Sequence, residues 1–152
     1  MGMFDALDIS GSALSAERLR MDVTSENLAN AQTTKGADGQ PYRRKEVVLQ
    51  EVPQGGGFAG SLKAAMGAGA AGIGSRPPGV EVGGIVEDST PSKMVYDPGH
   101  PDANAQGYVR MPNVESVTEM TDLITESRSY EANVTAMQTA KSMYTKTLDL
   151  LR

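Results

Sequence analysis

Residues 120–151 read MTDLITESRSYEANVTAMQTAKSMYTKTLDLL. Steps of three and four from Met120 select Leu123, Ser127, Tyr130, Val134, Met137, Lys141, Tyr144, Leu148 and Leu151, all apolar or Tyr except Ser127 and Lys141. That spacing predicts one amphipathic helix. No Gly or Pro interrupts the chain after Asn113. The helix is expected to begin between Asn113 and Ser116, with Asn113 and Ser116, or Ser116 and Glu119, as a capping pair. At 1.5 Å per residue it would be about 50 Å long. Such a helix is long for an isolated small domain and natural in a bundle or a tube wall.

The other end carries a matching pattern. Leu7, Leu14, Met21 and Leu28 recur every seven residues, with Phe4 as a further anchor and Ala6, Ala13, Ala16 and Ala29 as small neighbours. A helix over residues 4–30 follows. Ser10-Gly11-Ser12 weakens helix propensity locally. Gly11 falls on the apolar side of the repeat, which reads as a point of close approach by another helix. Heptad spacing at both ends predicts that the N- and C-terminal helices pack as a coiled-coil-like hairpin.

Between the helices the chain reads as strand and turn. Tyr42 to Val52 is one strand candidate, Val80 to Val95 a second, and Gly107 to Arg110 a third. Gly83-Gly84 and Ser89-Thr90-Pro91-Ser92 are expected to break the second into pieces. Tyr96-Asp97-Pro98-Gly99-His100-Pro101 is a dense turn signal. Residues 53–79 hold Gly55-Gly56-Gly57, Gly60, Gly67, Gly69, Gly72, Gly74 and Pro77-Pro78-Gly79, and read as a flexible loop in which Leu62 to Met66 could form a helical turn. The fold class is therefore mainly α at the termini with a small β-rich middle. Residues 1–32 and 113–152 form a terminal helical domain, and 33–112 a middle β and loop region.

Composition limits the core. Only 39% of the 152 residues are hydrophobic, Trp is absent and Gly numbers 17. The stripes therefore need each other, or a neighbouring subunit, for burial. The free monomer is expected to be only partly ordered. A formal net charge of −5 gives no support to nucleic-acid binding. Arg43-Arg44-Lys45 reads as the solvated start of a strand. The absence of Cys excludes disulfides, thiolate metal sites and Cys nucleophiles. No apolar run is long enough to span a bilayer. No basic segment followed by an apolar one opens the chain, so export would proceed without an ordinary cleaved signal peptide.

Catalytic chemistry finds no support. His100 is the single histidine and sits among prolines, where it reads as a loop-fixing residue. Neither a phosphate loop nor a nucleophile elbow nor an HExxH pair is present. Glu115, Glu119, Asp122, Glu126 and Glu131 read as a solvated or salt-bridged outer face. No enzyme, cofactor, metal or small-molecule substrate is expected. The nine Met include Met21, Met120 and Met137 on the predicted stripes, where flexible thioethers suit imperfect grooves. The candidate functional residues are accordingly interface residues. They are Leu7, Leu14, Met21 and Leu28 in one seam, and Leu123, Tyr130, Val134, Met137, Tyr144, Leu148 and Leu151 in the other. Asn27 and Asn30 are candidates for fixing the helix exit through amide-to-backbone bonds.

Several motifs carry a family resemblance. They are Leu7-Asp8-Ile9-Ser10-Gly11-Ser12-Ala13-Leu14, Ala16-Glu17-Arg18-Leu19-Arg20-Met21-Asp22-Val23 and Asn27-Leu28-Ala29-Asn30-Ala31-Gln32-Thr33-Thr34, continued by Pro41-Tyr42-Arg43-Arg44-Lys45. In the second half they are Tyr96-Asp97-Pro98-Gly99-His100-Pro101-Asp102-Ala103, Gly107-Tyr108-Val109, Pro112-Asn113-Val114 and Ser129-Tyr130-Glu131-Ala132-Asn133. Over nearly its whole length the chain resembles the bacterial flagellar rod and hook family, and within it the proximal rod proteins. The resemblance implies a structural subunit of the flagellar basal-body rod, part of a periplasmic drive shaft and export channel wall. It implies export through the flagellum-specific type III apparatus and terminal helices packed into an inner tube. It implies as partners copies of the chain, other rod proteins, the junction with the membrane-embedded MS ring and export gate, and surrounding ring proteins. The rival readings are another rod or hook axial subunit and a non-polymerising helical adaptor.

Overall fold

The computed structural model describes residues 3–36, 39–52 and 79–150. The expected glycine-rich loop lies outside these residues except for Gly79, as do Leu151 and the side chain of Phe4. The element order is α1 (Met3–Ala29), β1 (Lys45–Val52), β2 (Gly79–Glu87), β3 (Lys93–Tyr96), β4 (Tyr108–Met111) and α2 (Ser116–Leu150). N- and C-terminal helices thus flank a small β-rich middle. β1 pairs with β2, and β3 with β4, as separate two-stranded sheets. No described helix is long and apolar enough to cross a membrane.

Two boundaries differ from the sequence reading. β1 starts at Lys45, and the backbone N–H of Tyr42 is turned instead to the Thr33 carbonyl, at 3.4 Å. β2 continues through Gly83-Gly84 to Glu87. A Cβ on Gly83 would lie 2.6 Å from the amide of Gln50, so the space a side chain would need is filled by Gln50.

The chain forms two compact units, and both helices contribute to each. Unit 1 comprises Met1–Ala16, Leu49–Gly83 and Tyr130–Arg152. Ser12 joins α1 to β2 within it: its Oγ donates to the Ile9 carbonyl at 2.8 Å and accepts the Val80 N–H at 3.1 Å. A Cβ on Gly79 would stand 2.5 Å from that Oγ, so a larger residue there would have to displace the Ser12 hydroxyl from its bonds. Ala16 and Val52 are its buried apolar side chains among the described residues. Met137 Cε lies 3.9 Å from where a Cβ on Gly11 would sit, an ordinary contact. The close approach expected at Gly11 is therefore not made by any described residue, and an alanine would fit against them.

Unit 2 comprises Glu17–Val48 and Gly84–Ser129. β3 and β4 are antiparallel in the register Lys93↔Met111 to Tyr96↔Tyr108. The last pair sets the two Tyr rings edge to face with centroids 5.2 Å apart. The turn between them closes on Asn104, whose Oδ1 accepts the N–H groups of Gln106 and Tyr108. Gly107, at φ +81°, supplies the left-handed residue. His100 belongs to this turn: its Nδ1 accepts the Asp102 N–H at 3.1 Å. Val109 is buried, whereas all four residues of β3 are exposed.

Candidate functional site: a buried polar junction

The most deeply buried side chains of unit 2 are Glu119, Asn27 and Val109, two of them polar. Glu119 and Glu126 are 1% and 5% exposed, whereas Met120 is 46% exposed. The acidic outer face expected for α2 is thus partly an inner face. Both stripes pass through Leu123 and Tyr130, and shifting one residue back from Met120 and Ser127 gives Glu119 and Glu126. Hydropathy selected the apolar phase; the fold selected the acidic one because cations and amides elsewhere in the unit compensate it.

Those partners come from the end of α1 and the entry to β1. Arg44 donates from Nε to Glu119 Oε1 at 2.5 Å, and its Nη2 lies 3.4 Å from Asp122 Oδ2. The bond to Glu119 holds the Arg44 guanidinium above its ordinary pKa. Lys45 Nζ meets Glu26 Oε1 at 2.6 Å, and that bond raises the Lys45 pKa. Arg44 and Lys45 are therefore not a solvated strand start; only Arg43 of the three is exposed. Turning Arg44 inward gives Glu119 a charge-assisted partner, without which burial of its carboxylate would be very costly.

Asn27 is the hub. Its Nδ2 donates to the Lys45 carbonyl at 2.8 Å and to Glu119 Oε2 at 3.1 Å. Its Oδ1 accepts the Lys45 N–H at 2.9 Å and the Tyr42 hydroxyl at 2.9 Å. Burial raises the Tyr42 pKa, which keeps the phenol a donor. One amide thereby satisfies both main-chain groups of the first residue of β1. Asn30 acts more locally: Nδ2 donates to the Glu26 carbonyl at 2.9 Å, and Oδ1 accepts the Thr33 hydroxyl at 3.2 Å.

Glu126 occupies the second buried position. Its Oε1 accepts the Thr24 hydroxyl at 3.2 Å and lies 3.5 Å from Arg20 Nε. Its Oε2 is buried with no hydrogen-bond partner among the described residues. Burial raises its pKa against the opposing pull of Thr24 and Arg20. A polar cavity of about 200 Å³ adjoins it, bounded by Arg20, Thr24, Asn27, Arg44 and Asp122 among others. No group of three or more metal-ligating side chains occurs among the described residues.

The expected caps of α2 are used elsewhere. Asn113 Oδ1 accepts the Arg44 N–H at 2.8 Å, and Glu119 faces Arg44 and Asn27. The first turn closes instead by Glu119 N–H to the Glu115 carbonyl at 3.0 Å. Of the seam residues, Leu7, Leu14, Met21, Leu28, Leu123, Tyr130, Val134 and Met137 are partly covered. Tyr144 and Leu148 are 40% and 49% exposed. Sequence reasoning missed Arg44, Glu119 and Glu126. The readable signal was the seven-residue separation of the two glutamates, in phase with Tyr130 and Met137.

Comparison with known proteins agrees at both ends and across the middle. Residues 7–37 match a family model described as flagella basal body rod protein. Residues 105–150 match one described as flagellar basal body rod FlgEFG protein C-terminal. The flagellar basal-body rod protein FlgC of Bacillus subtilis is 49% identical over 154 residues, covering 99% of each chain. The FlgC proteins of Escherichia coli O6:H1 and Yersinia enterocolitica are 45% and 44% identical, each covering 99% of this chain and 98% of the relative.

Proposed function

Because the chain belongs to the FlgC family of flagellar basal-body rod proteins, we propose that its terminal segments, 1–32 and 113–152, build the inner tube of the rod and that 33–112 forms the outer part. It is a structural axial subunit, not an enzyme. In this reading the two terminal helices form a coiled-coil-like hairpin within a helical assembly. The seam residues, from Leu7 to Leu28 and from Leu123 to Leu151, meet copies of the chain and other rod proteins. The base of the rod meets the MS ring and export gate. The subunit works in the periplasm and forms part of the drive shaft and channel wall.

One observation carries the seam reading. Residues 141–149 of α2 are all exposed, Met143, Tyr144 and Leu148 among them. An apolar side chain there gains burial from a neighbour, at about 25 cal/mol per Å² removed from water. Long apolar seams spread a shear load over many contacts, whereas exposed ion pairs contribute little each. A helical filament also needs heterologous contacts that do not close into a small ring. The test is purification of basal bodies from cells carrying Leu148→Glu. The variant is expected to fold and to be absent from rods; normal incorporation would overturn the seam reading.

A further inference from the structure

Unit 2 contains a second feature that the junction does not use. An open cleft of about 530 Å³ lies between the segment after α1, the entry to β1 and the β3–β4 turn. Among the described residues, Lys35, Arg43 and Arg110 line it against one carboxylate, Asp102. The chain as a whole carries −5, so this is a local reversal of sign.

The three cations differ from the other basic residues nearby. Arg20, Arg44 and Lys45 all hold carboxylates. Lys35, Arg43 and Arg110 are exposed and make no side-chain ion pair among the described residues. Asp102 is held in the wall, where its Oδ2 accepts the Thr34 hydroxyl at 2.8 Å. Three separate chain segments thus bring positive charge, without a carboxylate partner among the described residues, to one concave surface.

We propose that this cleft receives an acidic, extended protein segment of a neighbouring axial subunit, whose carboxylates meet Lys35, Arg43 and Arg110. The inference rests on the rod reading, which supplies the neighbour. The lining favours a peptide over a phosphate polymer or a lipid headgroup. Gln40 offers both a donor and an acceptor to a main chain, and Pro41, Pro101 and Tyr108 offer apolar surface to its side chains. Asp102 accepts peptide N–H groups but repels a polymer that carries only acceptors and negative charge. Charge complementarity of this kind fixes register and excludes wrong partners more than it adds affinity.

The test uses assembled basal bodies with the photo-crosslinker p-benzoylphenylalanine in place of Gln40. Mass spectrometry of the adduct is expected to identify an Asp- and Glu-rich segment of an axial subunit. Arg43→Gln with Arg110→Gln is expected to lower the adduct yield roughly tenfold, and Arg43→Lys with Arg110→Lys to preserve it. An adduct to a segment lacking carboxylates, to lipid or to glycan, or no adduct, overturns the proposal. So does an unchanged yield in the Gln variants. Those results leave the rod reading intact when the chain is present in the basal bodies; its absence from them removes both readings.

Discussion

The junction around Asn27 and the last turns of α2 treat side chains in opposite ways. At the junction the chain buries two glutamates, an asparagine and much of an arginine. Along residues 141–149 it leaves a methionine, a tyrosine and a leucine in solvent. Ordinary domains do the reverse. A polar interior contributes little net stability, because desolvation offsets much of the attraction, but it accepts one arrangement and penalises others. Exposed apolar side chains carry no such selectivity and gain free energy from any complementary neighbour. Polar groups set the shape of unit 2, whereas the apolar groups along residues 141–149 stay exposed, which is what the proposed seam with a neighbouring subunit requires.

The strongest way to break this contrast is at Arg44. Arg44→Ala strands Glu119 as a buried charge and is expected to cost about 3–5 kcal/mol. Hydrogen exchange over residues 17–48 and 84–129 reads the loss. Arg44→Met with Glu119→Leu should recover most of it. If the double variant is no better than Arg44→Ala, the pair is not the source of the cost.

Asn27→Leu comes next, at about 2–3 kcal/mol, because it leaves the Lys45 N–H and carbonyl without their amide partner. Urea unfolding measures it, and a change below half a kilocalorie would deny Asn27 its role as hub.

The third expectation concerns pH. The folded-state pKa of Glu126 is raised above the ordinary value of 4.5, so the folded state binds this proton more tightly than the unfolded state. The resulting stability is fully present below 4.5 and is lost as pH rises through the folded pKa. Glu126→Gln should flatten that part of the stability profile in paired thermal melts. A profile identical to that of the unsubstituted chain would remove Glu126 from the explanation.

Gly11→Ala is the smallest change and sharpens the contrast from the other side. It fits against the described residues and should stabilise α1 by about 0.5–1 kcal/mol. Should swimming be lost while helicity measured by circular dichroism rises, the close approach at Gly11 belongs to a neighbouring subunit. Normal swimming would place no neighbour there.

Much of the fold was legible because it rests on local signals. The heptad of Leu7, Leu14, Met21 and Leu28 and the unbroken run after Asn113 define two helices that end within a few residues of expectation. The turn after Tyr96 was announced by Pro98, Gly99 and Pro101; the role of Asn104 in closing it was not. The strand ends and the phase of α2 were not legible, since each depends on a distant residue. The backbone N–H of Tyr42 turns to the Thr33 carbonyl and its hydroxyl to Asn27, rather than to the strand. Met120 yields to Glu119 because Arg44 arrives from 75 residues away.

The sequence by itself determined where the helices run, where the chain turns and, through its full-length family motifs, what the protein builds. These follow from spacing and from backbone preferences that each residue carries wherever it is placed. Only the tertiary structure decided that Glu119 and Glu126 of α2 turn inward and that Lys35, Arg43 and Arg110 gather at one cleft. Burial of a charge depends on a partner brought close by folding, and hydropathy read along the chain has no term for that partner.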